Sequence, residues 1–302
     1  MEKLSISTIW NHKPGTNLRK MLSEIKELGL NTIELSYTFT NEHMEEIIPL
    51  MDEMQMKVSD IHNFCPIPYD EPCVRHVSNY YRLSALDEEE RLRAVKWTQR
   101  TIDTACRVHA KAVIIHAGTV ERECDLSGEL IYMYKEGKGS TDEFVTLREK
   151  ILKDRRDKRP PFMASVVKSL KDVMAYAQKK GIVIGLENRY YPAEIPDYEE
   201  IGELLDLFHE QGLFYWHDVG HAEANERLGM TSHLDYLKRY QDRLIGFHIH
   251  GVERLNDHLA PFEGDFKLTK VLPFIQPHHL RVIESHGKAT RQQIQEAVRR
   301  LS

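Results

Sequence analysis

Short apolar runs alternate with longer amphipathic stretches along the whole chain. The short runs are rich in Ile, Val, Leu and Phe, which is typical of strands buried on both faces of a parallel sheet. Eight such strands are predicted, at residues 4–9, 32–35, 57–61, 112–115, 182–186, 214–216, 244–247 and 280–283. Helices are predicted between them, at residues 17–28, 41–55, 87–108, 162–180, 197–211 and 232–243, in a segment ending near 275, and at 290–301.

The regular alternation of strand and helix predicts an α/β protein made of βα units. Eight parallel strands with right-handed crossovers close naturally into a (β/α)8 TIM barrel. A doubly wound open sheet is the main alternative. The chain contains no G-x-G-x-x-G or G-x-x-x-x-G-K-[ST] turn, and its polar strand ends are spread over many strands, which favours the barrel.

One segment departs from this rhythm. Residues 120–161 follow the fourth strand and contain a basic stretch at 150–159, and Pro160-Pro161 is predicted to start the next helix. We expect this insertion to be partly helical and to cap the active-site face of a single barrel domain spanning residues 1–302. The alternative is a solvated helical excursion that makes no functional contact.

Composition narrows the class of protein. The net charge is -6 and the sequence pI is near 6.3, so no basic excess points to nucleic acid as a partner. The first residues lack the apolar stretch of a signal peptide, and no run of about 18 apolar residues predicts a membrane span. The four cysteines show no C-x-x-C pairing, so reduced thiols are expected. These features predict a cytoplasmic enzyme or binding protein, and they leave homo-oligomerisation open.

Polar side chains that can bind metal follow most of the predicted strands. They are His62, His116, Glu187, Asp218, His221, His248 and Glu284. Taken singly, the histidines could be hydrogen-bonded core residues, Glu187 could pair with Arg189, and His221 could cap a helix. In a barrel, however, all strand ends converge on one face.

Convergence of three carboxylates requires a compensating cation, because a buried unpaired carboxylate costs several kcal/mol. Glu187, Asp218, His248 and Glu284 stand one βα unit apart, at four consecutive strand ends. The sequence therefore predicts that these four residues bind a divalent metal. Histidine and carboxylate ligands suit Mn, Zn or Co better than Mg.

Several motifs resemble the xylose isomerase-like TIM-barrel superfamily over essentially the whole chain except the insertion. They are G-L-E-N-R at 185–189, H-D-V-G-H-A at 217–222, F-H-I-H-G at 247–251, D-H-L-A-P-F-E-G-D-F at 257–266 and V-I-E-S-H at 282–286. That superfamily includes sugar phosphate isomerases and epimerases, ketose 3-epimerases, inosose and dehydroshikimate dehydratases, and endonuclease IV. The resemblance is specific for the superfamily and not for one reaction.

The resemblance also implies roles for individual residues. Glu187, Asp218, His248 and Glu284 match the metal ligands of the single-metal members, while His221 and Arg254 match substrate-binding residues. His62 and His116 match further zinc ligands of endonuclease IV, so they could bind a second metal or the substrate. The Asp-x-His pair of that enzyme is replaced here by adjacent Asp257 and His258, which implies one or two metals and no third.

The function implied is a divalent-metal-dependent isomerase or epimerase of a small sugar, sugar phosphate or related polyol ketone. Glu187 and Glu284 would be the catalytic pair that moves a proton next to the carbonyl through an enediolate, as part of carbohydrate metabolism. A dehydratase or lyase of the same superfamily, an abasic-site endonuclease and a non-catalytic sugar-binding barrel remain alternatives. Glu34 and Lys288 lie near the same face without an assigned role.

Overall fold

Eight parallel strands form a closed barrel in the computed structural model, which describes residues 4–68 and 80–302. Each strand pairs with its neighbours in sequence, and the last pairs with the first. The strands are β1 (Leu4–Ser7), β2 (Thr32–Leu35), β3 (Lys57–His62), β4 (Ala112–Ile115), β5 (Val183–Glu187), β6 (Leu213–Asp218), β7 (Leu244–Ile249) and β8 (Leu280–Ile283). The predicted (β/α)8 barrel is therefore confirmed.

Helices surround the barrel and connect most of its strands. They are α1 (Leu18–Glu27), α2 (Asn41–Glu53), α3 (Glu88–Arg107), α4 (Ser127–Lys135), α5 (Asp142–Lys180), α6 (Tyr198–Phe208), α7 (Val219–Arg227), α8 (His233–Tyr240) and α9 (Arg291–Leu301). Most of them begin where the side chain of an Asn, Asp or Thr accepts a backbone N–H of the first turn, as at Asn17 and Asp87. Those capping residues explain why most helix starts were predictable.

The helix boundaries around the insertion differ from the prediction. A new helix was expected to start at Pro160-Pro161, but α5 runs through both prolines as one helix of 39 residues. Each proline removes a backbone donor, yet the helix is anchored on both sides of the pair. Arg155 forms buried ion pairs with Glu200 before the prolines, and Phe162 packs into the core after them.

Two further elements differ from the prediction. Helix α7 was missed because seven of its nine residues are buried, so it has no amphipathic stripe. The helix expected before β8 consists of two 3₁₀ turns, Leu268–Lys270 and Leu272–Phe274.

One part of the barrel interior is apolar. Trp216 is fully buried there and packs in a small cluster with Ala112, Ile114, Leu280 and Val282. A Cβ on Gly246 would lie 2.3 Å from the Trp216 ring, so only glycine lets the indole fit. The ring centroids of Trp216 and His248 are 5.1 Å apart, which places the indole directly against the polar site.

Short two-stranded sheets extend the carboxyl end of the barrel. Gly251–Glu253 pairs with Asn256–Leu259 to form a hairpin after β7, called here the β7 hairpin. The insertion packs beside it, since Leu130 and Phe144 form a cluster with Tyr190 and Leu255.

Two smaller expectations concern membranes and cysteines. No described helix has the length and apolar character needed to cross a membrane. Cys65, Cys106 and Cys124 are free thiols, while Cys73 lies outside the described residues.

Candidate metal centre

Four buried side chains converge at the carboxyl ends of the last four strands and are called here the central group. One ligand atom from each lies within 4.8 Å of all the others, in Glu187, Asp218, His248 and Glu284. Nδ1 of His248 lies 2.7 Å from Glu187, 3.1 Å from Glu284 and 3.7 Å from Asp218. The structure thus brings together the four residues that the sequence predicted as ligands.

A second group lies on the β3 and β4 side of Glu187 and is called the outer histidine group. Its members are His62, His116 and Glu187. Nε2 of His116 lies 2.7 Å from Oε2 of Glu187, but the two atoms are not aligned for a hydrogen bond. Nδ1–H of His62 donates to the carbonyl of Asn63 over 3.0 Å, so Nε2 keeps a lone pair. Burial, reinforced by Arg189, lowers the pKa of His116 to about 3, so this ring is neutral and able to bind a metal.

A third group, the hairpin group, consists of His221, Asp257 and His258. The sequence argued against a third site because adjacent Asp257 and His258 replace the Asp-x-His pair. Adjacent residues of an extended strand also point to opposite faces. His258 has a φ of 56°, in the left-handed region, and this breaks the alternation. Its Nδ1 lies 3.1 Å from the carboxylate of Asp257. The side chains of these two adjacent residues therefore lie on the same side of the hairpin, next to His221.

His221 is oriented by two hydrogen bonds. Its Nδ1–H donates to the carbonyl of Asn188 over 2.9 Å, and its backbone N–H donates to Asp218 over 2.7 Å. Nε2 is left free and lies 3.8 Å from a carboxylate oxygen of Asp257. His221 therefore lies beside the central group, where a substrate or a cation could contact it.

Glu187 also has a strong cationic partner. Arg189 is buried and lies 2.5 Å from Oε2 of Glu187 and 2.8 Å from Glu194. The simple ion pair considered from the sequence is therefore present, and Glu187 also belongs to two groups of side chains that could hold a metal. One arginine shared with Glu194 does not neutralise the carboxylates of Asp218 and Glu284 as well.

The charges of the central group depend strongly on one another. Burial alone would raise the pKa values of Glu187, Asp218 and Glu284, but the imidazoles around them, helped by Arg189, outweigh it and keep all three low. Burial would lower the pKa of His248, but the carboxylates around it raise that pKa well above the ordinary value. A metal cation that binds Nδ1 of His248 therefore has to displace the proton on that atom. The cation would then compensate the charge of the surrounding carboxylates in place of the proton.

Glu34, which had no role in the sequence analysis, lies beneath the centre. Its carboxylate accepts the Nε2–H of His248 over 2.8 Å, so Nδ1 is the ring atom that faces the other carboxylates. Asp60 lies beside Glu34 on the neighbouring strand, fully buried and without a hydrogen-bond partner for either oxygen among the described residues. Burial and the neighbouring Glu34 raise the pKa of Asp60 well above the ordinary value.

Arg254 does not lie where the resemblance implied. Its guanidinium points to the insertion, where Nη2 donates to the carbonyls of Tyr134, over 3.2 Å, and Lys135 at the end of α4. It is exposed and does not line the cavity above the metal-binding groups. A cation at a helix carboxyl end is a stabilising contact, so the structure gives Arg254 a structural position.

A cavity of about 870 Å³ lies above the three groups. Its floor includes His62, Glu187 and Glu284, and the insertion contributes Asp125 and Lys135 to its wall. The lining also includes three tyrosines and a lysine, namely Tyr37, Tyr190, Tyr191 and Lys288. A volume of this size suits a small polar molecule.

The solved structures that resemble this chain share the barrel. A 3-keto-D-glucoside 4-epimerase from E. coli superposes with a TM-score of 0.68 at 14% identity, covering 100% of this chain and 99% of that one. A D-psicose 3-epimerase from Clostridium cellulolyticum gives 0.67 at 11% identity, with coverages of 98% and 97%. A D-tagatose 3-epimerase-like protein gives 0.64 at 15%, with 99% and 95%. Likeness at such identities concerns the fold.

Sequence comparison gives a firmer assignment. No curated protein matches the chain in sequence. The family model described as xylose isomerase-like TIM barrel matches residues 22–301, which contain every member of the three groups. The chain therefore belongs to the xylose isomerase-like TIM barrel family.

Proposed function

We propose that this protein is a divalent-metal-dependent isomerase or epimerase of a small sugar, sugar phosphate or related polyol ketone. The observation that carries the proposal is the central group, in which three buried carboxylates and one imidazole converge. Glu187 and Glu284 of this group line the cavity. That donor set is matched to a divalent cation and would be costly to bury without one.

Glu187, Asp218, His248 and Glu284 would hold the cation, with Mn, Zn or Co preferred over Mg on ligand type. When bound, the cation would polarise the carbonyl and the adjacent hydroxyl of the substrate and stabilise negative charge that develops on them. Glu34 supports this arrangement by fixing the tautomer of His248.

Glu187 and Glu284 are the proposed proton-transfer pair. They come from separate strands, lie 2.7 and 3.1 Å from Nδ1 of His248 and both line the cavity, so a substrate in the cavity would contact both carboxylates. One carboxylate removes the proton next to the carbonyl, and the other returns a proton to give the isomer or epimer. The hydrogen bond from Arg189 favours the ionised form of Glu187, which suits the role of base.

His62, His116 and His221 are proposed to bind substrate hydroxyls. Each is neutral or has a free Nε2 near the cavity floor, as the hydrogen bonds of His62 and His221 indicate. His62 and His116 could alternatively hold a second metal together with Glu187. Arg254 is not proposed to contact the substrate, because its guanidinium is bound to the end of α4.

The insertion is proposed to act as a cap within a single barrel domain. It supplies Asp125 and Lys135 to the cavity and packs on the loops after β5, β6 and β7. A cap of this kind limits the site to small substrates and keeps bulk water away from a reactive enediolate. The same class of substrate is supported by the names of the similar solved structures, two of which are sugar epimerases and one a D-tagatose 3-epimerase-like protein.

The test combines elemental analysis with a substrate screen. We expect the purified protein to contain a stoichiometric first-row metal, to lose activity with a chelator and to regain it with Mn, Co or Zn. Ketoses, inososes and their phosphates are to be screened for isomerisation, epimerisation and loss of water, so that a dehydratase would also be detected. A protein that binds no divalent metal would refute the proposal and favour a non-catalytic sugar-binding barrel.

A metal-dependent phosphodiesterase acting on abasic sites is the second candidate. It is favoured by one observation, the presence of the outer histidine group and the hairpin group beside the central group. The net charge of -6 and the acidic cavity wall at Asp125 and Glu253 oppose it. Incubation of the metal-loaded protein with duplex DNA containing one abasic site at low salt decides the matter, since strand cleavage would establish this activity and absence of cleavage would remove it.

A further inference from the structure

His250 is a buried residue that the sequence analysis left without a role. It follows His248 by two residues, at the start of the β7 hairpin, and its side chain is fully excluded from solvent. Its Nε2 lies 3.1 Å from both carboxylate oxygens of Asp218. Its Nδ1 lies 2.9 Å from the backbone N–H of His258. One imidazole thus contacts a proposed metal ligand on one side and the backbone of the hairpin on the other.

The hydrogen bonds of His250 define its tautomer. The backbone N–H of His258 can only donate, so Nδ1 of His250 must accept and carries no proton. The proton is therefore on Nε2, and this N–H donates a hydrogen bond that both carboxylate oxygens of Asp218 accept. His250 lies among side chains that could hold a metal, with Asp218, His258 and Glu284. Both of its ring nitrogens are used by these hydrogen bonds, so in this arrangement it has no lone pair to offer a metal.

The surroundings hold this ring in place. It stacks on His258 with centroids 4.3 Å apart and an angle of 9° between the rings. On its other side a Cβ added to Gly220 would lie 2.2 Å from Cε1 of His250, so the start of α7 approaches as closely as a glycine allows. A side chain at residue 220 would displace the imidazole from Asp218.

We infer that His250 is a positioning residue that couples the β7 hairpin to the metal centre. Its Nε2–H orients the carboxylate of Asp218 towards Nδ1 of His248, and its Nδ1 fixes the backbone that carries Asp257 and His258. The same ring therefore sets the distance between the central group and the hairpin group. Outer partners of this kind commonly change metal affinity by about 10- to 100-fold when removed.

The two hydrogen bonds can be separated by two substitutions. The side-chain amide of Asn reaches the position of Nδ1, so His250→Asn can accept the His258 N–H but cannot reach Asp218. The amide of Gln reaches the position of Nε2, so His250→Gln can donate to Asp218 but leaves the hairpin N–H without its acceptor. His209→Asn is the control, because His209 lies before β6, at the opposite end of the barrel.

The readouts are metal affinity by competition with a chromophoric chelator, the visible spectrum of the Co-loaded protein, and hydrogen exchange at the His258 amide. We expect His250→Asn to bind metal about 10- to 100-fold more weakly, with an altered Co spectrum and unchanged exchange. We expect His250→Gln to keep the affinity and the Co spectrum of the wild type but to exchange the His258 amide faster. His209→Asn should match the wild type in all three measurements.

Unchanged metal affinity in His250→Asn would overturn the inference, as would equal weakening in both variants. If His250→Asn fails to fold, His250→Gln decides, and wild-type exchange of the His258 amide in that variant overturns the coupling. The inference rests on the proposed metal centre, and the two can fail separately. A wild-type protein that binds no metal refutes the proposed function, while a metal-binding wild type with an unaffected Asn variant refutes only the role of His250.

Discussion

At the scale of single residues, Glu187 shows how one carboxylate can belong both to an ion pair and to candidate metal sites. It pairs with the buried Arg189 at 2.5 Å and also belongs to the central group and the outer histidine group. An ion pair alone would have placed a cation on Glu187 and left Asp218 and Glu284 uncompensated. The convergence of all three is what makes Glu187 a candidate for chemistry.

Replacing Glu187 with Gln tests that role. We expect turnover to fall by about 100-fold to 10,000-fold, because an amide cannot accept the transferred proton. The fold should be retained, since Arg189 keeps Glu194 as a partner. The measurements are steady-state kinetics on the substrate identified in the screen and circular dichroism. Glu210→Gln, an exposed position, is the matched control, and full activity in Glu187→Gln would refute the assignment.

His12 gives a second prediction at this scale, concerning stability and pH. Burial, reinforced by the neighbouring His43, lowers the pKa of His12 to about 4 from 6.5. Above pH 6.5 the ring is neutral in both the folded and the unfolded states. As the pH falls from 6.5 to 4, His12 becomes protonated in the unfolded chain but stays mostly neutral in the folded protein. The free energy of unfolding therefore decreases over this range.

We expect His12 to lower the free energy of unfolding by about 1 to 2 kcal/mol between pH 7 and pH 4. His12→Phe should keep the stacking on Phe39, where the ring centroids are 4.2 Å apart, and make the pH dependence shallower by that amount. Urea denaturation at several pH values measures the difference. An identical slope in wild type and variant would show that His12 does not contribute.

At the scale of elements, the β7 hairpin and the insertion hold each other. Arg254 joins them through the last carbonyls of α4. Tyr190, in the loop after β5, joins them indirectly, because its hydroxyl donates to the carbonyl of Leu255 over 2.7 Å and its ring shares an apolar cluster with Leu130 and Phe144 of the insertion. The basic side chain that was expected to bind substrate instead fixes a wall of the cavity. Lys135, whose carbonyl accepts from Arg254, lines that cavity.

Arg254→Ala should therefore loosen α4 without affecting the metal centre. We expect faster hydrogen exchange over Ser127–Lys135 and a loss of about 0.5 to 1 kcal/mol in stability, because the helix end loses its cationic cap. Metal affinity should remain that of the wild type. Arg239→Ala, at an exposed helix position away from the cavity, is the control. Unchanged exchange in α4 together with a raised KM would instead restore the substrate-binding role.

The sequence predicted some elements well and others poorly, for identifiable reasons. β2, β4 and β8 have the predicted bounds because their apolar runs end abruptly at polar residues. Helix α7 was missed because a helix buried on most sides lacks periodicity. The convergence of His221, Asp257 and His258 was not expected, because the Asp-x-His spacing is absent from the sequence. It depends on the left-handed backbone at His258, which the pattern of residue types does not reveal.

At the scale of the whole molecule, the barrel explains why the site was largely predictable. Parallel strands bring their carboxyl ends to one face, so strand-end residues converge even when they are far apart in sequence. That argument identified the members of the central group, but it gave no role to Glu34 or His250, which lie beneath and beside the candidate ligands. Their positions depend on side-chain packing inside the finished barrel, which strand spacing does not determine.

Removal of metal should destabilise the entire fold. A ligand that binds only the folded state adds about 2.7 kcal/mol at a concentration 100 times its dissociation constant. We therefore expect the melting temperature to rise with added Mn, Co or Zn and to fall with a chelator. Replacing both Asp218 and His248 with Ala should abolish the metal-dependent part of that shift. Equal melting temperatures with metal and with chelator would contradict a bound cation in the wild-type protein.

The order of the ligands along the chain has a consequence for biosynthesis. The outer histidine group draws on β3, β4 and β5, whereas the central group needs the ends of β5, β6, β7 and β8. Glu284 follows the strand that pairs with β1 and closes the barrel. A nascent chain still lacking β8 would offer the proposed cation only part of its coordination sphere, so we expect complete binding of that cation only after the synthesis of that strand.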